Sequence, residues 1–134
     1  MDNYLPQEKI QQAIDLLVEQ YQPAAVLLYG SRAKGQDDLH SDIDLAMLLN
    51  KKSPPDGFKL AKSQTDIEAI LKKDVDLVVL DNVSPILAME IIRNHQMLYQ
   101  VDSGVINAFI MKATGEYFDL KYSRRCIEEQ LLAS

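Results

Sequence analysis

Two aspartates, Asp42 and Asp44, stand one residue apart at the head of the apolar run DIDLAMLLN, which predicts a strand over 42–50. Side chains alternate along a strand, so both carboxylates point to one face while Ile43 points to the other. Two carboxylates about 4 Å apart near a protein surface repel by roughly 4 kcal/mol at an effective dielectric of about 20. The strand contains no Lys or Arg, so relief of this repulsion requires a positive group from elsewhere.

A hard divalent cation is one such group. Mg²⁺ prefers oxygen ligands and typically takes one or two carboxylates, while waters and substrate phosphates complete its coordination. The competing interpretation is a solvated strand start, which is what an isolated Asp-x-Asp pair commonly represents. The Asp42–Asp44 pair is therefore a candidate for half of a magnesium–nucleotide site.

The sequence of a turn upstream of this pair indicates that a nucleotide binds together with the metal. The run AAVLLYG predicts a buried strand that ends at Gly30, where the absent side chain lets backbone amides approach a ligand. Ser31 adds a hydroxyl, and the sequence SRAKG could begin a short helix whose free N–H groups favour an anion. Arg32 and Lys34 bring cations into the same turn, although both also suit an exposed loop. These four residues are the candidate nucleotide-binding group.

Other catalytic or metal-binding motifs do not fit the chain. Gly30 and Gly35 have the glycine spacing of a P-loop, but a Gln-Asp pair follows where Lys and Ser or Thr are required. The Gly-x-Ser-x-Gly motif of a hydrolase nucleophile is absent. His40, in the loop, and His95, near a predicted helix end, are too isolated for a metal pair. The lone Cys126 can form neither an internal disulfide nor a zinc cluster.

Composition limits the class of protein and its partners. With 134 residues, 47% of them hydrophobic and 25% charged, the chain is expected to form a single globular domain over 1–134. No apolar run approaches the roughly 20 residues of a membrane helix, and the N-terminus lacks a signal-peptide pattern. A cytoplasmic protein without membrane contact is expected. The net charge of -6 disfavours direct nucleic-acid binding, which draws on Lys and Arg.

Helical and strand patterns alternate along the chain. They predict an α/β (α+β) domain with a small mixed sheet flanked by helices. The Ser84-Pro85 pair predicts the start of one helix, because Ser is a preferred N-cap and Pro suits the first turn. The predicted elements are helices over 7–20, 58–72 and about ten residues from 84, strands over 24–30, 42–50, 74–81 and 97–100, and a C-terminal helical segment over about 105–134 with Gly115 as a candidate break.

Gly30-Ser31, ten residues and then Asp42-Ile43-Asp44 resemble the Gly-Ser-x10-Asp-x-Asp signature of the DNA polymerase beta nucleotidyltransferase superfamily. The sequence LYGSRAKGQDDLHSDIDLAML looks most like the minimal nucleotidyltransferase (MNT) branch. The segment YFDLKYSRR, 117–125, is similar to the last helix of MntA-type antitoxins from HEPN/MNT toxin–antitoxin systems. The resemblance implies a polymerase-beta-like nucleotidyltransferase fold.

The resemblance also implies a third carboxylate on a neighbouring strand. The sequence DVDLVV offers two candidates, Asp74 and Asp76. Strands of this family usually carry the acid directly before Leu-Val, which selects Asp76 and leaves Asp74 as second choice. Without the resemblance, both would be interpreted as solvated residues at a strand start.

The mechanism that the resemblance implies uses two Mg²⁺ ions and ATP. Asp42 and Asp44 would hold the nucleotide-bound ion and share the second ion with Asp76. Gly30 and Ser31 would hold the β- and γ-phosphates, with assistance from Arg32 or Lys34. Two ions lower the pKa of an attacking hydroxyl and stabilise charge at the α-phosphate. Asp76 is also a candidate to accept the hydroxyl proton.

The implied activity is that of an antitoxin: transfer of AMP from ATP to a tyrosine of a cognate HEPN ribonuclease toxin, with release of pyrophosphate. Aromatic and Met side chains of the C-terminal segment could form the partner surface or pack in the core: Phe109, Met111, Tyr117, Phe118 and Tyr122. Two alternatives stay open. One is nucleotidylation of a small molecule, as in aminoglycoside-type enzymes, and the other is an antitoxin that acts by binding alone.

Overall fold

A computed structural model describes residues 6–30, 42–51 and 53–133. Helices and strands alternate through most of these ranges, as the sequence patterns predict. The elements are α1 (Gln7–Tyr21), β1 (Ala25–Tyr29), β2 (Ile43–Leu48), α2 (Gly57–Leu71), β3 (Val75–Val79), a short 3₁₀ turn (Leu80–Asn82), α3 (Pro85–Arg93), β4 (His95–Gln100) and α4 (Ser103–Ala133).

The four strands form one mixed sheet in the order β3–β2–β1–β4. Strand β1 pairs antiparallel with both β2 and β4. Strands β2 and β3 pair in parallel, and α2 makes the crossover between them, as a parallel connection requires. The parallel pair carries the Asp-x-Asp segment and the DVDLVV segment side by side. The predicted α+β fold with a small mixed sheet is thereby confirmed.

Helices cover both faces of the sheet. On one face, α1 and α2 pack Leu17 and Ile67 against alternate residues of the strands, and this first core cluster includes Ile43, Leu45 and Met47 of β2. On the other face, α3 and α4 contribute Ile91 and Ile106 to a second cluster. Because side chains alternate along β2, the residues that lie between Ile43, Leu45 and Met47 in the sequence face α3 and α4.

Local hydrogen bonds fix the ends of these elements. The Ser84 hydroxyl accepts a hydrogen bond from the Leu87 backbone N–H at 3.2 Å, so the predicted cap of α3 is present. The Asp81 carboxylate accepts hydrogen bonds from the backbone N–H groups of Leu49 and Asn50, both at 2.7 Å, and from that of the next residue, at 3.2 Å. Asp81 therefore satisfies donors that the chain exposes where β2 ends.

Helix α4 runs without a break through Gly115, so the break considered at that residue does not occur. A glycine inside a helix costs only about 0.5–1 kcal/mol relative to alanine. Packing of Ile106 and Ala113, both buried, holds the turns before Gly115 and offsets that cost.

Among the described helices, none combines the length and the apolar character needed to cross a membrane.

Candidate active site

The carboxylates of the two acidic segments meet at one edge of the sheet. In the parallel register of β2 and β3, Asp44 lies directly beside Asp76. Neighbouring strands are about 4.8 Å apart, so these side chains project next to each other from the same face. Asp42 precedes β2 by one residue and has the same parity along the chain as Asp44. The carboxylates emerge on the face that α3 and α4 cover elsewhere, and Asp42 and Asp76 are exposed there.

The crowding of these carboxylates affects the pKa of Asp44. Burial raises the pKa of the half-buried Asp44 carboxyl above its ordinary value, and the charges of Asp76 and Asp42 raise it further. All three causes disfavour the charged form. Within the described residues, no Lys, Arg or His forms a salt bridge with any of these three carboxylates. The negative charge at this edge is therefore not neutralised by the described part of the protein.

Gly30 closes the site from the end of β1. Its backbone has φ +80°, a left-handed conformation that glycine adopts without strain. A Cβ atom at this position would collide with Oδ2 of Asp44. The glycine therefore permits both a turn after β1 and the close approach of that turn to the Asp44 carboxylate.

The structure separates the two candidates for the third carboxylate. Asp76 lies beside Asp44 and contributes to the raised pKa of that residue. Asp74 lies one residue before β3, its side chain is exposed, and its backbone carbonyl accepts a hydrogen bond from the Ile43 N–H at 2.9 Å. Asp74 is not among the groups that shift the pKa of Asp44. Position and charge therefore favour Asp76.

The chemistry of the donor set fits Mg²⁺ bound together with a substrate. No group of three or more His, Cys, Asp or Glu side chains in the described ranges is arranged to enclose an ion by itself. Mg²⁺ does not require such an enclosure, since it commonly binds one or two carboxylates and takes its other ligands from phosphates and water. Asp42, Asp44 and Asp76 offer hard oxygen ligands without a competing cation among the described residues.

Three of the four candidate nucleotide-binding residues, Ser31, Arg32 and Lys34, lie outside the described residues, as does His40. Only Gly30 of that group is placed by the structure.

Two further side chains join the row of carboxylates. Tyr29 of β1 lies opposite Asp44, and His95 of β4 lies opposite Tyr29. Burial raises the pKa of Tyr29 to about 12, with Asp76 and then Asp44 adding to the effect. Sequence reasoning assigned Tyr29 to a buried strand and His95 to a helix end, and so missed both. The available signal was the short strand predicted after α3. If that strand pairs antiparallel with β1, its beginning lies opposite the end of β1, next to the carboxylates.

Replacement of Gly30 by Ala is expected to destabilise the protein by about 1–3 kcal/mol, because alanine disfavours the left-handed conformation and its Cβ displaces Asp44. The matched control is Gly115→Ala in α4, where an added Cβ meets nothing within 4 Å. That change is expected to stabilise the protein by about 0.5–1 kcal/mol. Urea unfolding of both variants measures the difference, and equal effects would contradict the assigned conformation of Gly30.

Replacement of Asp44 by Asn is expected to leave the protein as stable as the native chain or more stable at neutral pH. A carboxyl whose pKa is raised by folding binds its proton more tightly in the folded state, so native stability falls as pH rises from about 4 through the raised pKa. Asn carries no charge and so avoids this loss, which amounts to up to about 1 kcal/mol in the free energy of unfolding after solvent screening. Unfolding of both proteins between pH 4 and 8 provides the measurement, and a destabilised variant at pH 8 contradicts the expected crowding.

Comparison with known proteins identifies relatives of this arrangement. The family model described as polymerase beta, nucleotidyltransferase matches residues 11–104. A comparison with curated proteins gives no match. A chain of a toxin–antitoxin complex crystallised with AMP-PNP is 26% identical, with a TM-score of 0.79 over 96% of this chain and 99% of that chain. A chain of an MntA–HpeT toxin–antitoxin mutant is 25% identical, with a TM-score of 0.76 over 91% of this chain and 96% of that chain.

A third structure, a tri-AMPylated Shewanella oneidensis HEPN toxin in complex with its MNT antitoxin, contains a chain that is 22% identical. Its TM-score of 0.75, over 96% of this chain and 99% of that chain, speaks for a shared fold. The family match spans most of the chain and includes Gly30, Asp42, Asp44 and Asp76. On this evidence the chain belongs to the polymerase beta nucleotidyltransferase family.

Proposed function

We propose that this chain is a Mg²⁺-dependent antitoxin of the MNT type, which transfers AMP from ATP to a tyrosine hydroxyl of a HEPN toxin. The observation that carries the proposal is the parallel register that sets Asp44 beside Asp76, with Gly30 closing over Asp44. Relatives of similar length are toxin–antitoxin chains, one crystallised with AMP-PNP, which supports ATP as the substrate and a toxin as the partner.

The proposed division of labour follows the order of residues along the sheet edge. Asp42 and Asp44 would hold one ion with the nucleotide, and Asp76 would share the second ion with them. When bound, the two Mg²⁺ ions lower the pKa of the attacking hydroxyl and stabilise charge at the α-phosphate. The backbone of Gly30, with Ser31, binds the β- and γ-phosphates, and Arg32 or Lys34 assists. The absence of a side chain at Gly30 supports this role, because it lets the backbone of residue 30 lie against the Asp44 carboxylate, where the nucleotide-bound ion would be held.

In the proposed transfer, the acceptor hydroxyl displaces pyrophosphate from the α-phosphorus of ATP in one step. The acceptor oxygen forms a bond to the α-phosphorus while its proton passes to Asp76. The bond from the α-phosphorus to the oxygen that bridges to the β-phosphate breaks, and its electron pair leaves with pyrophosphate. Asp76 is the better candidate for the proton acceptor, because its side chain is exposed at the edge of the sheet, whereas that of Asp44 is partly buried.

A protein acceptor is favoured over a small molecule by exposed apolar side chains along α4. Met111, Phe118 and Tyr122 recur at helical spacing on one side of this helix, and they are 76%, 57% and 69% exposed. Ile127 and Leu132 are exposed as well, by 58% and 88%. Exposed apolar groups in such number mark a protein interaction site. We assign the exposed side formed by Met111, Phe118 and Tyr122, here called the α4 surface, to the toxin.

Asp76→Ala is expected to reduce AMP transfer by roughly 100-fold or more, because it removes the carboxylate that is proposed to share the second ion and to accept the proton of the attacking hydroxyl. Asp74→Ala, an exposed position one residue before β3, is the matched control and is expected to stay within about threefold of the native rate. The assay incubates the chain with α-labelled ATP, Mg²⁺ and the product of the neighbouring gene as the candidate toxin, and mass spectrometry counts AMP units on the tyrosines of that protein.

Equal losses in the Asp74 and Asp76 variants would contradict the assignment of the third carboxylate. Transfer that survives the double change Asp42→Ala, Asp44→Ala would overturn the metal site. Neutralisation of the toxin without any AMP transfer would establish the binding-only antitoxin, and transfer to an aminoglycoside but not to the toxin would establish the small-molecule enzyme.

Met111→Asp and Tyr122→Asp, made together, are expected to weaken toxin binding by more than about tenfold, because each places a charge in an apolar contact. The free energy of unfolding should change by no more than about 0.5 kcal/mol, since both side chains are exposed in the free protein. Asp119→Ala, an exposed change on the same helix, is the control. Toxin binding measured by calorimetry that is unaffected by the double change contradicts the α4 surface.

A further inference from the structure

One row of polar side chains crosses the whole sheet. The registers place Asp76, Asp44, Tyr29 and His95 opposite one another on β3, β2, β1 and β4 in turn. Residues directly opposite each other share a face, so all four project on the side of α3 and α4. The next row on that face is apolar throughout, with Val78, Ala46, Leu27 and Met97. The polar row therefore ends abruptly where the core begins, and His95 is its last member.

The ring of His95 is held by one nitrogen and free at the other. Nδ1 lies 2.8 Å from the backbone carbonyl oxygen of Ile92, the last residue but one of α3. A carbonyl only accepts, so Nδ1 carries the hydrogen in this contact. Within residues 6–30, 42–51 and 53–133, nothing hydrogen-bonds Nε2. The half-buried ring is thus oriented by the chain and presents Nε2 as a group without a described partner.

The order of the row assigns a ligand to Nε2. The proposed acceptor side is at Asp76, the α-phosphate is at Asp44, and the phosphate turn begins at Gly30, directly after Tyr29. Strand β4 lies beyond β1, on the side away from β3. A triphosphate that extends from Asp44 past Gly30 therefore runs toward His95. The sheet spacing of about 4.8 Å per strand puts His95 one strand from Tyr29, the residue before Gly30, within reach of a phosphate chain.

We propose that His95 binds the β- and γ-phosphates of the nucleotide, with Nε2–H donating a hydrogen bond to a phosphate oxygen of the departing pyrophosphate. The inference rests on the proposed function, and it adds a residue that the Gly-Ser and Asp-x-Asp signature does not contain. Because Nδ1 keeps its hydrogen toward Ile92, the hydrogen on Nε2 is the second one on the ring, and the two ring nitrogens then donate at once, to Ile92 and to phosphate.

Two near-isosteric variants separate ligand binding from a structural role. The amide nitrogen of His95→Asn falls near the position of Nδ1 and retains the contact with Ile92. That of His95→Gln falls near Nε2 and retains the donor toward phosphate. Calorimetry with Mg²⁺ measures the affinity for AMP-PNP and, separately, for AMP, which lacks the β- and γ-phosphates. Gln96→Ala, the exposed neighbour whose side chain points to the opposite face, is the control.

We expect His95→Asn to weaken AMP-PNP binding by roughly tenfold, while His95→Gln stays within about threefold of the native chain. AMP should bind all variants alike. The inference is overturned if Asn binds AMP-PNP as well as Gln does, or if Asn weakens AMP and AMP-PNP equally. If the native chain transfers AMP but the His95 variants bind AMP-PNP as the native chain does, the role of His95 is refuted and the proposed function is not. A native chain that binds no AMP-PNP refutes both.

Discussion

The contact between two like charges, Asp44 and Asp76, is the constraint on which the rest of the structure depends. Their adjacency exists only because β2 and β3 run in parallel and in one register. A parallel pair requires a crossover, and α2 supplies it. Since side chains alternate along a strand, a slip of one residue would turn a carboxylate into the first core cluster. The site therefore requires a register that other interactions must enforce.

The opposite face of the same strands enforces it. Ile43 and Leu45 alternate with Asp44 and are 1% and 3% exposed, and Val75 and Leu77 alternate with Asp76 and are 4% exposed each. Full burial of such side chains is worth about 1.5–3 kcal/mol apiece, against a repulsion of a few kcal/mol between solvent-facing carboxylates. The apolar face thus outweighs the acidic one. The carboxylates can remain crowded, and available to a cation, without loss of the fold.

Sequence reasoning reached the parts of this arrangement that depend on local order. Alternation indicated that Asp42 and Asp44 share a face, and Ser84-Pro85 indicated the start of α3, because both follow from backbone geometry within a few residues. It did not reach Tyr29 and His95, since their place in the polar row depends on which strands pair and in what register. The unbroken α4 was also missed, because a glycine signals a local cost and not the packing that offsets it.

The course of α4 connects the two ends of the domain. The helix begins near Leu48, the end of β2 away from the carboxylates, and Asp102, Val105 and Leu48 line one cavity there. Fourteen residues after Ser103, the Arg93 guanidinium lies over the Tyr117 ring, 5.8 Å from its centroid, and Arg93 itself lies just before β4 begins at the site edge. About 21 Å of helix thus spans the sheet, and a similar length continues past it.

Two of the three residues of the α4 surface belong to this continuation, because Phe118 lies one residue and Tyr122 five residues after Tyr117. A protein docked on these residues would lie at the carboxylate edge of the sheet and not at its far end. An acceptor hydroxyl carried by that protein is then delivered to the site by the docking itself, which converts an encounter in solution into a positioned reaction. Under the proposed function, the partner that carries the acceptor hydroxyl therefore also positions that hydroxyl at the carboxylates.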